Sequence, residues 1–413
     1  MIFTRPSRFV VLFLNVGYAL TSWAANQYTV LHNFVVSSAD GNDPVGAVVF
    51  DNAGNLYGVT LSGAARDEGI VFQLVPNADG TWTENVVKAF NGQEGGIPTG
   101  SLVRDAAGNL YGTTSSGGSA GKGVVFELSP QSDGSWHYTI LFSFSDRSGE
   151  VPDGITLDKA GNFYGTTTSG GLNKCGITNC GTVFQLTQTS PGVWAETVLY
   201  NFGASSTDGN FPNSTVALDR AGNLYGVTRF GGTSNQGTVY QLTPGANGQW
   251  TETVLHSFSG GADGALPEGD LAIDSAGNLY GTALIGGTLT CGRITGEGCG
   301  TVFKLSNSGG AWDYTVIKSF TAHDGNEPAG RLVFDPNGNL YGTTQEGGAF
   351  GYGLVFKLTP NPDGSWRETT LHSFNKNDGD LPRGGVTLHA GSVWGTTSSG
   401  GSGRGGVAFQ ISH

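Results

Sequence analysis

Short segments in which apolar and polar residues alternate recur along the chain, separated by clusters of Gly, Asn and Asp. Alternation with a period of two is typical of β-strands, whose successive side chains point to opposite faces of a sheet. In the clearest copy of this pattern we predict strands at 101–104, 110–114, 124–128 and 136–144. Both faces of the last strand carry apolar side chains, which is typical of a sheet packed between two others.

One phrase, Asp-x-x-Gly-Asn-(Leu/Phe)-Tyr-Gly, returns at intervals of 53 to 61 residues, with changes in its last copy. A four-stranded unit repeated with a period slightly above 40–45 residues indicates the blade of a propeller. The sequence therefore predicts seven blades. Their turn glycines are Gly54, Gly108, Gly161, Gly222, Gly277, Gly338 and Gly391.

The two ends of the chain favour a closed ring over a linear solenoid. The seventh unit stops after its third strand, at 406–411, and lacks the fourth strand of the other units. The segment Tyr28-Thr-Val-Leu-His-Asn-Phe34 matches that missing strand. We expect it to complete the last blade and so remove the open sheet edges. The predicted fold is an all-β, seven-bladed β-propeller with four antiparallel strands per blade, in a single domain over 25–413.

Composition and charge narrow the classes of protein and partner. Glycine contributes 70 of 413 residues without a three-residue period, which indicates many tight turns rather than collagen. Hydrophobic residues reach 37%, enough for a packed core. The formal net charge of -13 repels nucleic-acid phosphates and anionic head groups. We therefore expect no nucleic-acid partner and no membrane insertion.

Residues 1–24 have the pattern of a signal peptide. Arg5 and Arg8 precede an apolar run, and Ser22-Trp23-Ala24 then places small residues at the positions that a signal peptidase requires. The run is shorter than the roughly 20 apolar residues that span a bilayer. We expect cleavage after Ala24 and a secreted protein, extracellular or periplasmic.

The repeated phrase, with its Gly-Gly loop and the following Gly-Thr-Val-Phe-x-Leu, resembles the bacterial repeat proteins called choice-of-anchor tandem repeat, GloVer-containing. The resemblance covers 27–413, and only the seventh unit departs, with Val393-Trp394-Gly395 in place of Leu-Tyr-Gly. Relatives in this group often carry a surface-sorting segment. The chain ends at His413 within the last blade, so we expect free secretion rather than anchoring. The resemblance implies no established activity.

Four cysteines lie in the loops between the second and third strands of units three and five. Because a whole blade separates these units, we expect the local disulfides Cys175–Cys180 and Cys291–Cys299 in an exported protein. A zinc site shared by both loops is the alternative, although neither spacing is typical of one.

Each connection between blades contains an acid-Gly-x-x-Pro pattern, with Ser148 replacing the acid in unit three. If the carboxylates converge at the mouth of the channel, they could bind calcium or a hydroxyl-rich ligand. The same pattern is also good turn chemistry, and we favour that interpretation. The six candidate metal ligands are Asp40, Glu94, Asp208, Asp263, Asp324 and Asp378.

Histidines and tryptophans recur at fixed positions of the repeat. His32, His256 and His372 share one position of the fourth strand, which we interpret as a tolerant surface or inter-blade position. No Ser, His and acid set indicates nucleophilic catalysis. A tryptophan begins the fourth strand in six units, and we expect it to fill the gap between blades rather than stack on sugars. These tryptophans are Trp82, Trp136, Trp194, Trp250, Trp312 and Trp366.

The regular motifs favour a non-catalytic, monomeric propeller that binds an extracellular polysaccharide, peptide or envelope protein without a cofactor. The alternative is a metal-dependent hydrolase, lactonase or lyase with its site at the channel mouth. It requires a divalent ion, calcium being the first choice, on at least three of the six acids. A purely structural role in an envelope assembly is the third hypothesis, and function must be argued from the site rather than from the fold.

Overall fold

The computed structural model describes residues 26–36, 40–288, 291 and 298–412. Within these ranges all regular secondary structure is β, and no helix is long and apolar enough to cross a membrane. Seven antiparallel sheets form a closed ring, which confirms the predicted seven-bladed β-propeller. The predicted signal peptide at 1–24 lies outside the described residues.

The strands follow the repeat. Strand β1 (Gln27–Val35) belongs to the last blade. Blade 1 contains β2 (Gly41–Phe50), β3 (Leu56–Gly63), β4 (Ile70–Pro76) and β5 (Trp82–Ala89). Blade 2 contains β6 (Gly96–Arg104), β7 (Leu110–Ser116), β8 (Val124–Pro130) and β9 (Trp136–Ser143). Blade 3 contains β10 (Glu150–Leu157), β11 (Phe163–Ser169), β14 (Thr182–Ser190) and β15 (Val193–Asn201), with a small hairpin of β12 (Lys174–Cys175) and β13 (Thr178–Asn179).

The remaining blades repeat this order with one interruption, in the first strand of blade 4. Blade 4 contains β16 (Gly209–Pro212), β17 (Ala217–Leu218), β18 (Leu224–Gly231), β19 (Thr238–Pro244) and β20 (Trp250–Ser257). Blade 5 contains β21 (Ala265–Ile273), β22 (Leu279–Ile285), β23 (Thr301–Ser308) and β24 (Ala311–Ser319). Blade 6 contains β25 (Asn326–Phe334), β26 (Leu340–Glu346), β27 (Leu354–Pro360) and β28 (Trp366–Ser373). Blade 7 contains β29 (Val386–His389), β30 (Ser392–Thr397), β31 (Arg404–Ser412) and β1.

The amino-terminal strand closes the ring as predicted. Strand β1 pairs antiparallel with β31, from Gln27 opposite Ser412 to Val35 opposite Arg404. It is thus the outermost strand of blade 7, in the order β29-β30-β31-β1. The two ends of the chain therefore complete one sheet.

The innermost strands begin earlier than the sequence indicates. The strand predicted at 101–104 starts at Gly96, so part of the acid-Gly-x-x-Pro pattern lies inside the sheet. The residue before each proline adopts a left-handed φ, which bends the strand and directs its amide to the preceding blade. In blade 4, for example, the amide of Phe211 donates to the carbonyl of Cys180 at 2.9 Å. The bent residues are Asp43, Ile97, Val151, Phe211, Leu266, Glu327 and Leu381.

Aromatic pairs hold neighbouring blades together. The buried phenylalanine after each fourth strand meets the Phe or Tyr of the next blade's third strand, with ring centroids 5.0–5.4 Å apart. Glycine is needed in the Leu-Tyr-Gly phrase because this ring covers it. A Cβ on Gly58 would lie 2.5 Å from the ring of Phe72. The repeated phrase thus encodes the packing of each blade on the next.

The tryptophans fill the gaps between blades, as predicted. Trp136, for example, meets Tyr57 of the preceding blade edge to face, with centroids 5.8 Å apart. In the seventh unit, Trp394 replaces the tyrosine and packs against Trp82 in the same way, at 5.7 Å. The departure from Leu-Tyr-Gly therefore preserves the contact at the seam where the ring closes.

Candidate binding site in the central channel

The six acids of the acid-Gly-x-x-Pro pattern lie apart, each bonded within its own blade connection. Asp263 accepts a hydrogen bond from the amide of Ser259 at 2.9 Å, and Asp208 accepts one from Ala204 at 2.8 Å. None of the six is among the residues that line the central cavity. The structure therefore places these six acids in the separate blade connections and not in the lining of the central cavity.

Each acid instead pairs with the recurrent fourth-strand position that holds the histidines. His256 lies 3.2 Å from Asp263, and Lys88 lies 2.8 Å from Glu94. At the connection from blade 2 to blade 3, the corresponding residues are Phe142 and Ser148. A Glu or Tyr of the next blade, two residues after the tryptophan position, completes an interface triad. The seven interface triads are His32/Asp40/Glu84, Lys88/Glu94/Tyr138, Phe142/Ser148/Glu196, Tyr200/Asp208/Glu252, His256/Asp263/Tyr314, Lys318/Asp324/Glu368 and His372/Asp378/Tyr28.

Both predicted disulfides are present, with Cα atoms 5.2 Å apart in Cys175–Cys180 and 5.1 Å apart in Cys291–Cys299. They lie at the end of the ring where the chain crosses between blades. The carbonyl of Cys299 accepts a hydrogen bond at 3.0 Å from the amide of Glu327, a residue of the central cavity. The cross-linked loops therefore support the rim of the channel.

A cavity of about 470 Å³ opens at this same end of the channel and takes lining residues from all seven blades. A second cavity of about 750 Å³ continues along the channel and shares Ser101, Thr215, Asp270 and Arg331 with the first. Further along, its walls include apolar side chains such as Leu271. Most charged residues that line the channel therefore lie at the end that carries the blade connections, although Arg104 lines the second cavity.

Most charged residues of the cavity flank a short inter-blade contact in the innermost strands. The residue two positions after the repeated proline is glycine in six blades, and each comes so close to the next blade that a side chain would collide with it. A Cβ on Gly46 would lie 2.3 Å from the carbonyl oxygen of Gly100, and one on Gly384 would lie 2.3 Å from that of Gly46. Blade 4 has Ser214 here, where its inner strand is interrupted.

The positions on either side of this glycine differ from blade to blade. Blades 1, 2 and 4 have uncharged residues such as Val45, Ser101 and Thr215, whereas blades 3, 5, 6 and 7 supply acids or arginines. The repeated phrases of the sequence do not reveal this site, because its charged residues occupy positions that vary between the repeats. The charged residues at these variable positions are Asp153, Glu268, Asp270, Arg331 and Arg383.

Most charges in the cavity compensate one another. Arg229 forms an ion pair with Glu268 and is also attracted by Glu327. The carboxylate of Asp270 accepts a hydrogen bond from the amide of Thr215 at 2.8 Å and faces Arg331. Burial nevertheless raises the pKa of Asp270 above its usual range, because the cost of desolvation exceeds these favourable contacts.

Asp153 is a second buried acid of the cavity whose protonation is favoured. Burial raises its pKa to about 7, and the nearby Asp270 carboxylate adds to the shift. At neutral pH this side chain can therefore donate a hydrogen bond as well as accept one.

An aromatic pair stands beside the cavity. The rings of Phe211 and Phe230 meet edge to face with centroids 6.0 Å apart. The guanidinium carbon of Arg229 lies 5.8 Å from the Phe230 ring. Phe211 is one of the residues with a left-handed φ, so its position follows from the bend in the inner strand of blade 4.

Comparison with known proteins gives one family and many distantly related structures, two of which are given below. The model of the Gloeobacter/Verrucomicrobia repeat matches residues 16–217 and 174–409. A protein of unknown function from Dyadobacter fermentans DSM 18053 is 11% identical, with 93% of this chain and 98% of that chain covered and a TM-score of 0.45. A structural-genomics target described as "putative gluconolactonase" is 13% identical, with 85% and 95% covered and a TM-score of 0.42. The comparison with curated proteins gives no match.

Proposed function

The chain belongs to the Gloeobacter/Verrucomicrobia repeat family, and we propose that it is a binding propeller whose central cavity takes an uncharged, hydroxyl-rich ligand such as the end of a saccharide. The observation that carries this proposal is where in the structure the seven repeats differ from one another. Residues that pack blade on blade repeat around the ring, whereas the charged and polar side chains that line the cavity change from blade to blade. A scaffold needs repeated contacts, but a ligand without sevenfold symmetry needs different groups around it.

The chemistry of the lining favours hydroxyl groups. Arginines donate hydrogen bonds, carboxylates accept them, and Asp153 can do both near neutral pH. A charged ligand would have to disrupt the ion pair of Arg229 and Glu268, whereas a hydroxyl group can join its hydrogen-bond network. The Phe211–Phe230 pair adds an apolar surface next to these polar groups.

The size of the cavity fits a small molecule or the end of a chain. About 470 Å³ lies within the range of roughly 300–1,000 Å³ in which small-molecule sites fall. The cavity is open at the end that carries the blade connections, so a longer polysaccharide could place one terminal residue inside it. Binding would then be fixed by groups on the rigid innermost strands.

The test is a glycan array followed by calorimetry with the strongest ligand. We expect Asp153→Asn and Arg331→Met each to weaken binding at least tenfold, and Val45→Trp to abolish it by filling the cavity. Asp133→Asn makes the same substitution in an exposed turn at the perimeter and should bind as the original chain does. A glycan whose affinity is unchanged by all three cavity variants, or an array with no bound glycan, would refute the proposal.

We also propose that the protein is exported. The support is the pair of disulfides, which persist in oxidising compartments, together with the signal-peptide pattern at 1–24. Fractionation of cells that express the full chain, followed by mass determination, should give a mature protein beginning after Ala24. Full-length protein retained in the cytoplasm would contradict this.

A further inference from the structure

The interface triad at the seam between blades 7 and 1 contains three groups that can ligate a metal. His32 comes from β1, Asp40 from the connection to blade 1, and Glu84 from β5. Their ligand atoms all lie within 4.8 Å of one another. The imidazole Nε2 of His32 is 3.3 Å from the nearer carboxylate oxygen of Asp40, and these side chains are only 20% and 14% exposed.

Another interface shows how two facing carboxylates are neutralised in this protein. Between blades 5 and 6 two carboxylates also face each other, and the ammonium of Lys318 lies between them, 2.6 Å from Asp324 and 2.7 Å from Glu368. That ammonium marks a cation position in the repeated interface. At the seam the equivalent side chain is His32, which is too short and too weakly basic to replace a lysine but well suited to ligate a metal.

The remaining histidine interfaces lack the second carboxylate. There the third member is a tyrosine that stacks on the imidazole, with centroids 3.7 Å apart for Tyr314 and His256 and 3.8 Å apart for Tyr28 and His372. Glu84 instead adds a second carboxylate beside that of Asp40, with its ligand atom within 4.8 Å of those of Asp40 and His32. A bound cation would relieve the repulsion between these two acids.

We propose that His32, Asp40 and Glu84 bind one divalent metal ion of the zinc class and thereby fasten the closing strand to blade 1. One imidazole and two carboxylates suit zinc, whereas calcium takes six to eight oxygen ligands. Ligand atoms around a tetrahedral zinc ion lie about 3.3–3.5 Å apart, a separation that the His32–Asp40 pair already has. Rotation of the flexible Glu84 side chain would bring the third ligand in, and water would supply the fourth.

This site is separate from the proposed ligand cavity, so each can fail without the other. The experiment titrates ZnCl₂, and in parallel CaCl₂, into untagged residues 25–413 after dialysis against EDTA, at pH 7.5 in a calorimeter. We expect one zinc ion per chain, calcium binding at least tenfold weaker, and a higher Tm with zinc than with EDTA. Glu84→Gln and His32→Gln should each lower the zinc affinity at least tenfold.

The matched control is His256→Gln, which makes the same change in an interface whose third member is Tyr314, and it should leave one zinc ion bound with unchanged affinity. Circular dichroism checks that each variant folds, and Glu84→Gln, which keeps the size of the side chain, serves if His32→Gln does not fold. Zinc affinity that is equal in the original chain and in Glu84→Gln would overturn the proposal. So would the absence of zinc binding, or calcium binding as tight as that of zinc.

Discussion

Two glycines of blade 6 allow a test of how closely the innermost strands of neighbouring blades approach each other. Gly330 and Gly338 have nearly the same left-handed backbone, with φ of +77° and +81°. A Cβ on Gly330 would lie 2.4 Å from the carbonyl oxygen of Arg383 and 2.4 Å from the amide nitrogen of Gly385, both in blade 7. A Cβ on Gly338 would have no atom within 4 Å. Alanine therefore strains both backbones equally but collides with a neighbour only at position 330.

The expected costs follow from these contacts. A non-glycine residue in the left-handed region costs about 1–2 kcal/mol, and this is the whole cost expected for Gly338→Ala. Overpacking adds about 1–3 kcal/mol, so Gly330→Ala should cost about 2–5 kcal/mol. The unfolding entropy of roughly 390 residues is about 0.8 kcal/mol/K, so the decreases in Tm should be about 1–2.5 °C and about 2.5–6 °C respectively.

The assay is thermal unfolding of the original chain and both variants, followed by circular dichroism, with equilibrium denaturation in guanidinium as a second measure. The collision involves backbone atoms of another blade, which cannot rotate away as a side chain could. If Gly330→Ala melts within 1 °C of Gly338→Ala, the blades are not held as close to the channel as the structure indicates, and the reasoning is wrong.

Two further predictions concern buried charge. Because the folded chain raises the pKa of Asp153 to about 7, it binds that proton more tightly than the unfolded chain between about pH 4 and pH 7, and stability falls as the pH rises through this window. Between pH 5 and pH 8 the free energy of unfolding of Asp153→Asn, measured by guanidinium titration, should therefore fall by about 1–3 kcal/mol less than that of the original chain. Parallel plots of unfolding free energy against pH for the two proteins would contradict this. Lys318→Met leaves the carboxylates of Asp324 and Glu368 without their shared cation and should cost about 1–3 kcal/mol. Adding Glu368→Gln should recover part of that loss in a double-mutant cycle, and additive losses would show that the lysine does not act through Glu368.

The sequence predicts the ring because the same pattern of strand and turn residues occurs seven times. Gly58 and its counterparts mark where an aromatic ring covers the second strand, and Tyr28 to Phe34 matches the strand missing at the other end. It also predicts the two disulfides, since their cysteines are close along the chain. Local patterns therefore account for the strands, their number and the closure.

The site is less accessible to the same reasoning because it depends on contacts between blades. Asp153 and Asp270 are over a hundred positions apart, and only the closed ring brings them into one cavity. The pairing of each loop acid with a fourth-strand residue is a different case. Phe142 accompanies Ser148 in the one unit that lacks the acid, so comparison of the units could have shown this coupling. The position that we interpreted as a tolerant surface or inter-blade position thus lies between blades, and its side chain contacts the loop acid at six interfaces.

Closure of the ring by the first and last strands also affects how the newly synthesised chain folds. Of the strands in the structure, β1 is synthesised first and its partner β31 last. Strand β1 therefore cannot pair with β31 until nearly all of the blades have been synthesised. Contacts between such distant segments form slowly. During that interval the unpaired edge of β1 can pair with the incomplete blade 7 of another molecule. A high concentration of newly synthesised chains would therefore favour dimers that have swapped β1 over closed monomers.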